Sequence, residues 1–221
     1  MKKSPYLAFT SLMYRILQVL TILLFIAAGF LADVYIGSIG VVMISAGLPL
    51  VIVFTDYFAF AGVSTRKLKS MQFVKSSCKG FDFFKSALKT DLFLKHFCLN
   101  FSFVGYLLAE IIYFTDSETF TGSLMILLIY LPIAQLTMNI TLIISRRIAL
   151  TMAIQIAVCY ICSMISTILL LVYSFLLPEN MSDYTVPSII SFFVIEVVSI
   201  IVAIVLYKDG LKGYVSSFSD T

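Results

Sequence analysis

Apolar residues cluster in six stretches, near 16–33, 39–60, 97–114, 122–144, 150–177 and 187–207. A helix needs about 20 mainly apolar residues to cross a hydrocarbon core about 30 Å thick, and each stretch is close to that length. Lipid cannot satisfy a free backbone amide, so each is predicted to be a helix. The fifth is the longest and is expected to tilt or protrude. Gly40, Gly47 and Pro49 interrupt the second, and Pro49 removes a backbone hydrogen bond in mid-membrane, so a kink is expected there.

The polar connectors fall into two sets. Those after the first, third and fifth stretches carry Asp33, Asp116 and Glu118, and Glu179 and Asp183, with no Lys or Arg. All fifteen basic residues lie on the other side: Lys2, Lys3 and Arg15, eight in residues 61–96, Arg146 and Arg147, and Lys208 and Lys212. Positive charge marks the cytoplasmic face, so both termini are expected in the cytoplasm of a plasma-membrane protein. Residues 1–221 then form a single six-span transmembrane domain.

Two segments outside the spans also show helical spacing. Tyr6, Phe9, Leu12 and Met13 recur at that spacing beside Lys2, Lys3 and Arg15, as in a short helix lying in the membrane interface. The alternative is that the first span begins earlier. The connector 61–96 is far longer than the usual two to eight residues or so between helices. Leu68, Met71 and Val74, then Phe81, Phe84, Leu88 and Leu92, follow a three-to-four spacing broken at residues 76–80. Two amphipathic helices are expected, the second running into span three. A basic loop resting on anionic headgroups is the competing reading, although it would not need phased apolar stripes. The fold class predicted is thus all-α: six transmembrane helices, a short N-terminal interfacial helix and a cytoplasmic helical loop between spans two and three.

Composition agrees, since 61% of residues are hydrophobic and only 12% charged, more apolar surface than a soluble domain of 221 residues could hide. The net charge of +3 follows membrane topology and gives no sign of nucleic-acid binding. No small-x-small cleavage site separates the first two spans, so the first helix is expected to be retained. The four cysteines fall inside spans or on the basic side, which argues against a secreted disulfide framework.

The inventory removes several chemistries. No Lys-Ser or Lys-Thr pair is preceded by Gly, so no phosphate-binding G-x-x-x-x-G-K-[ST] loop is present. His96 is the single histidine, which excludes His-x-x-x-His metal sites. No catalytic, cofactor or metal residues are assigned, and the chain is not expected to be an enzyme. Cys159-x-x-Cys162 admits a membrane thiol oxidoreductase, although apolar packing of the two thiols inside span five is the simpler reading.

Ionisable groups inside a bilayer are costly and therefore candidates for function. Glu196 lies near the middle of span six and shares a face with Ser199 and Ala203. Asp56 and Glu110 lie one turn from span ends, where headgroup water is within reach. Gln135 and Asn139 in span four, and Tyr160, Ser163 and Thr167 in span five, extend the polar set. Together with Glu196 and Ser199 they form a candidate translocation path, with interhelical hydrogen bonding as the alternative.

Residues 71–82, Met71-Gln72-Phe73-Val74-Lys75-Ser76-Ser77-Cys78-Lys79-Gly80-Phe81-Asp82, resemble the loop between spans two and three of ABC-2 type permeases. Ser76, Ser77 and Lys79 match that pattern, whereas Cys78 stands where Pro is usual and Gly80 is atypical. The six-span layout and overall length are similar too, most of all to bacterial exporters of the phenol-soluble-modulin type. The resemblance implies a permease subunit of an ATP-driven exporter that pairs with a second copy of itself and moves amphipathic peptides or similar hydrophobic cargo. Its loop would dock on a separate ATPase subunit that binds ATP and Mg, through Gln72, Phe73, Ser76, Ser77, Lys79, Phe81, Asp82, Phe84 and Lys85. The apolar members of that loop are expected to divide between the bundle and the partner. A substrate-capture subunit of an uptake transporter is a further alternative.

Overall fold

The computed structural model describes residues 5–10, 12–36, 40–57, 77–113, 117–148, 151–176 and 185–216. The elements are helices throughout: α1 (Tyr6–Phe9), α2 (Leu12–Ile36), α3 (Gly40–Asp56), α4 (Gly80–Tyr113), α5 (Ser117–Ile148), α6 (Met152–Leu176) and α7 (Thr185–Ser216). Four stretches are long and apolar enough to cross a membrane: Leu12–Ile36, Gly80–Tyr113, Leu128–Ile148 and Ile189–Val215. Two shorter apolar helical stretches, Gly40–Asp56 and Met152–Ile168, pack among them. The protein is an all-helical membrane protein, and among the described residues many Leu, Ile, Val and Phe side chains are exposed on its outer surface.

Helix α5 sits at the centre and touches α3, α4, α6 and α7. The main core joins Ile44, Leu48 and Val53 of α3 to Leu99 and Phe103 of α4 and to Ala134, Met138 and Leu142 of α5. With no water to expel between spans, these contacts gain mainly from dispersion and close packing. Small residues make the closest approach possible. A Cβ at Gly29 would come within 2.7 Å of Ile44 Cδ1, and one at Gly40 would strike the Gly29 carbonyl and the Asp33 carboxylate. The α2–α3 hairpin therefore needs glycine at Gly40, where the clash is with backbone, whereas at Gly29 the end of the Ile44 side chain would have to shift.

Inside α3 the turn Met43–Gly47 is π-helical and leads directly into Leu48-Pro49. The Pro49 ring would press on the carbonyl four residues earlier in a regular helix, and the wider turn relieves that clash. The expected irregularity thus takes the form of a π turn. Ser45 Oγ donates to the carbonyls of Val41 at 2.7 Å and Val42 at 3.2 Å within the same stretch.

At its N-terminal end α4 begins at a turn in which Gly80 N–H donates to the Ser77 carbonyl at 3.0 Å. The helix then runs unbroken for 34 residues, about 51 Å at 1.5 Å per residue, well beyond the bilayer core. Residues 80–96, expected as the second amphipathic helix of the connector, are the first turns of α4. Their apolar stripe forms a second, smaller core: Phe84, Ala87 and Leu88 pack with Tyr6, Tyr14 and Tyr214. Phe84 stacks on Tyr214 with ring centroids 4.7 Å apart, and Phe9 meets Phe84 edge-on at 5.8 Å. The first amphipathic helix, before residue 77, lies outside the described residues.

The N-terminal expectation is corrected in detail. Tyr6–Phe9 form a separate helical turn, ended by extended backbone at Thr10. Leu12 and Met13 do not share that element; they open α2 and are largely exposed.

Candidate functional site

Four charged side chains meet at the end of the bundle where α3 and α5 finish. Asp56 comes from the last residue of α3, Asp91 and Lys95 from successive turns of α4, and Arg146 from the last turn of α5. Arg146 grips Asp56 through two bonds, Nε to Oδ2 at 2.9 Å and Nη2 to Oδ1 at 2.8 Å, and also donates to Asp91 Oδ2 at 2.9 Å. Lys95 Nζ donates to Asp56 Oδ1 at 2.7 Å and to Asp91 Oδ2. Both carboxylates are 0% exposed, and Lys95 and Arg146 are buried with them. Two negative and two positive charges cancel, which is what makes burial of all four tolerable.

The quartet is flanked by uncharged polar bonds. Ser145 Oγ donates to Gln155 Oε1 at 2.5 Å, and Gln155 Nε2 donates to the Val53 carbonyl at 2.8 Å, tying α5, α6 and α3 together. Tyr6 lies on the other side. Burial and the nearby Asp91 carboxylate push its phenol above the ordinary range, which keeps it neutral. Next along α5, Arg147 turns outward and holds Asp209 of α7 by bonds of 2.6 and 2.9 Å. Consecutive helix residues point about 100° apart, so one dipeptide fastens α3 and α4 on one side and α7 on another.

A second cluster closes the opposite end of α2, α3 and α4. Asp33 Oδ1 accepts the Gly40 N–H at 2.6 Å, capping the start of α3. The Tyr106 hydroxyl bonds Glu110 Oε1 at 2.9 Å and Asp33 Oδ2.

Between these ends a cavity of about 600 Å³ opens between α4, α5 and α7. Lys85 and Lys89 stand at its mouth and His96 further in. Its far end holds Asn100, Gln135, Glu196 and Ser199, while Phe93, Ile200 and Ile204 supply apolar wall. Gln135 Nε2 donates to Asn100 Oδ1 at 2.8 Å. Asn139, one turn along α5, donates to Ser199 Oγ at 3.2 Å. Among the described residues Glu196 Oε2 is buried without a hydrogen-bond partner. His96 Nδ1 lies 2.8 Å from the Leu92 carbonyl, which makes Nδ1 the protonated nitrogen and leaves Nε2 as an acceptor.

The cavity therefore gathers Gln135, Glu196 and Ser199 of the expected path, with Asn139 just behind Ser199. Tyr160, Ser163 and Thr167 do not join it. Tyr160 is 62% exposed on α6, and Thr167 Oγ1 donates back to the Ser163 carbonyl of its own helix at 2.9 Å. The α6 side chains that do bond other helices are Gln155 and Ser166, and the α5–α6 cavity of about 350 Å³ is almost wholly apolar. Cys162 borders that second cavity, whereas Cys159 is buried and its Sγ lies 3.7 Å from Gln155 Nε2.

Of the expected coupling residues, Gln72, Phe73 and Ser76 lie outside the described residues. Ser77, Lys79, Asp82 and Lys85 are exposed, Phe81 is 43% exposed and Phe84 is buried in the smaller core. Both meet Tyr214, Phe84 from inside the core and Phe81 from its exposed rim with ring centroids 5.8 Å apart.

Sequence reasoning missed the quartet. Asp56 and Glu110 were expected near headgroup water, yet both are buried. The available signal was the Asp91–Lys95 pair at i,i+4 together with one acid and one Arg at the same end of two other spans. No protein-family model, curated protein or solved structure matches the chain.

Proposed function

We propose that the chain is a six-span transport subunit of the plasma membrane with both termini in the cytoplasm. It works as a permease driven by a separate ATPase and exports amphipathic peptides or similar hydrophobic cargo as a homodimer. The observation that carries this reading is the α4–α5–α7 cavity, which combines an apolar wall with polar groups at membrane depth and a cationic mouth. Polar side chains at that depth are costly and are kept where a polar solute must be met. The resemblance of residues 71–82 to a permease coupling loop supplies the ATPase partner, and the half-exposed Phe81 supplies an anchor for it.

Copurification with an ATPase encoded beside this chain tests the reading. Aromatic anchors usually dominate an interface, so Phe81→Ala is expected to weaken association by about 2 kcal/mol or more. Lys79→Ala should weaken it less, and the loss should shrink in high salt. Unchanged association and ATP turnover in every loop variant would remove the coupling role. The Cys159/Cys162 oxidoreductase reading has no comparable support, because Cys159 is enclosed, whereas reactive thiols sit in partly exposed sites.

A further inference from the structure

The cavity is ordered by charge along its length. Lys85 and Lys89 lie at the mouth, exposed, with no ion-pair partner among the described residues. Asn100 on the same helix is 15 residues beyond Lys85, about 22 Å along the axis. At that level Gln135 bonds Asn100, and the Glu196 carboxyl carries an oxygen without a partner among the described residues. Between the two ends the wall is mainly apolar, Phe93, Ile200 and Ile204, with His96 among them. Cation, apolar gap, acid: a complementary ligand has an anion at one end, an apolar middle and a positively charged hydrogen-bond donor at the other.

We infer that the cavity binds an apolar peptide segment in one direction, its N-terminal ammonium at Glu196 and an anionic group five or six residues later on Lys85 and Lys89. An extended chain advances about 3.3 Å per residue, so six residues cover about 20 Å, close to the separation of the two charged ends. The ammonium would give the orphaned Glu196 oxygen its donor, and Asn100, Gln135 and Ser199 offer amide and hydroxyl groups to the first peptide unit. The reversed direction would bring carboxylate to carboxylate and ammonium to lysine. A volume of about 600 Å³ in this open groove falls within the range of ligand sites. An anionic phospholipid satisfies Lys85 and Lys89 but offers Glu196 only an acyl chain, so it fits one end alone.

This inference rests on the transport reading, but its test does not need the ATPase. Full-length protein is placed in nanodiscs of phosphatidylcholine, and binding is measured for a fluorescent Leu/Phe-rich hexapeptide. The peptide is made with free ends, with an acetylated N-terminus and with an amidated C-terminus. Acetylation is expected to lower affinity about tenfold or more on the native chain, the factor a charge-assisted contact carries, and to have little effect on Glu196→Gln. Amidation should have the same effect on the native chain and little on the Lys85→Gln/Lys89→Gln double variant. These lysines are exposed, so that arm stands even if Glu196→Gln fails to fold.

Equal affinity for all three peptides on the native chain would overturn the inference. So would end effects that persist in the variants, or a sensitivity to amidation alone that phosphatidylglycerol abolishes, which identifies a lipid-headgroup site. Directional binding without any copurifying ATPase would leave the inference standing and remove the motor. An ATPase partner with no end effects would do the reverse.

Discussion

Lys95 serves two carboxylates at once, so its removal changes the charge balance of a closed space. Lys95→Met leaves one uncompensated negative charge beside Asp56 and Asp91, a loss expected to cost about 3–5 kcal/mol. Adding Asp91→Asn restores neutrality and keeps the two-bond Arg146–Asp56 pair, so the double variant should recover most of the loss. The readout is the temperature at which buried Cys159 begins to react with a maleimide in detergent. A double variant no better than the single one would show that charge balance is not what holds the quartet. At the opposite end Tyr106→Phe removes a hydroxyl from between Asp33 and Glu110. Taking that donor from two carboxyl groups is expected to cost about 1–3 kcal/mol in the same assay. Arg147 is exposed, and Arg147→Ala should lower stability by an amount that fades as salt rises.

Helix α4 shows how much of the fold was legible in the sequence. Phe81, Phe84, Leu88 and Leu92 keep helical phase up to the third span, and the structure joins them to it without a break. Periodicity belongs to one element, so one element's sequence reveals it. The polar face of α7 was legible for the same reason, because Glu196, Ser199 and Ala203 lie at fixed offsets and do line one cavity. The quartet could not be read this way. Its members are separated by up to 90 residues, and each alone looks like a charge at a span end. The path residues of α6 failed for a related reason, since a Thr such as Thr167 can bond its own helix as readily as a neighbour. At this scale Phe84→Ala should destabilise the small core by about 3–5 kcal/mol, measured as faster proteolysis at the Gly80 end of α4. Phe81→Ala, half-exposed at the rim of the same core, should raise that rate much less.

The proposed orientation makes one demand on the whole molecule: the quartet, the small core and the lysines of the cavity mouth all belong to the inner side. In a background without native cysteines, cysteine at Glu118 or Asp183 should react with an impermeant thiol reagent added to whole cells. Cysteine at Lys69 should not. Labelling at Lys69 alone would invert the chain and with it the peptide direction. Glu196→Leu provides a check at the same scale. It should leave the bundle folded and abolish transport, because Glu196 faces the cavity. Unchanged transport would confine this carboxyl to packing.

The two larger of the bundle's three cores among the described residues were withdrawn from different solvents. Leu99, Met138 and Leu142 gave up contact with lipid tails, whereas in the proposed orientation Phe84, Leu88 and Tyr214 lie where α4 outruns the bilayer and gave up contact with water. Only water leaves a heat-capacity signature when apolar surface is re-exposed. Nearly all of the heat-capacity change on unfolding should therefore come from a few aromatic and aliphatic side chains of α1, the start of α2, α4 and α7. Cooling weakens such a core while leaving the lipid-embedded one almost untouched. In the cold, the end of the molecule that would meet a motor should loosen first, with the spans still packed.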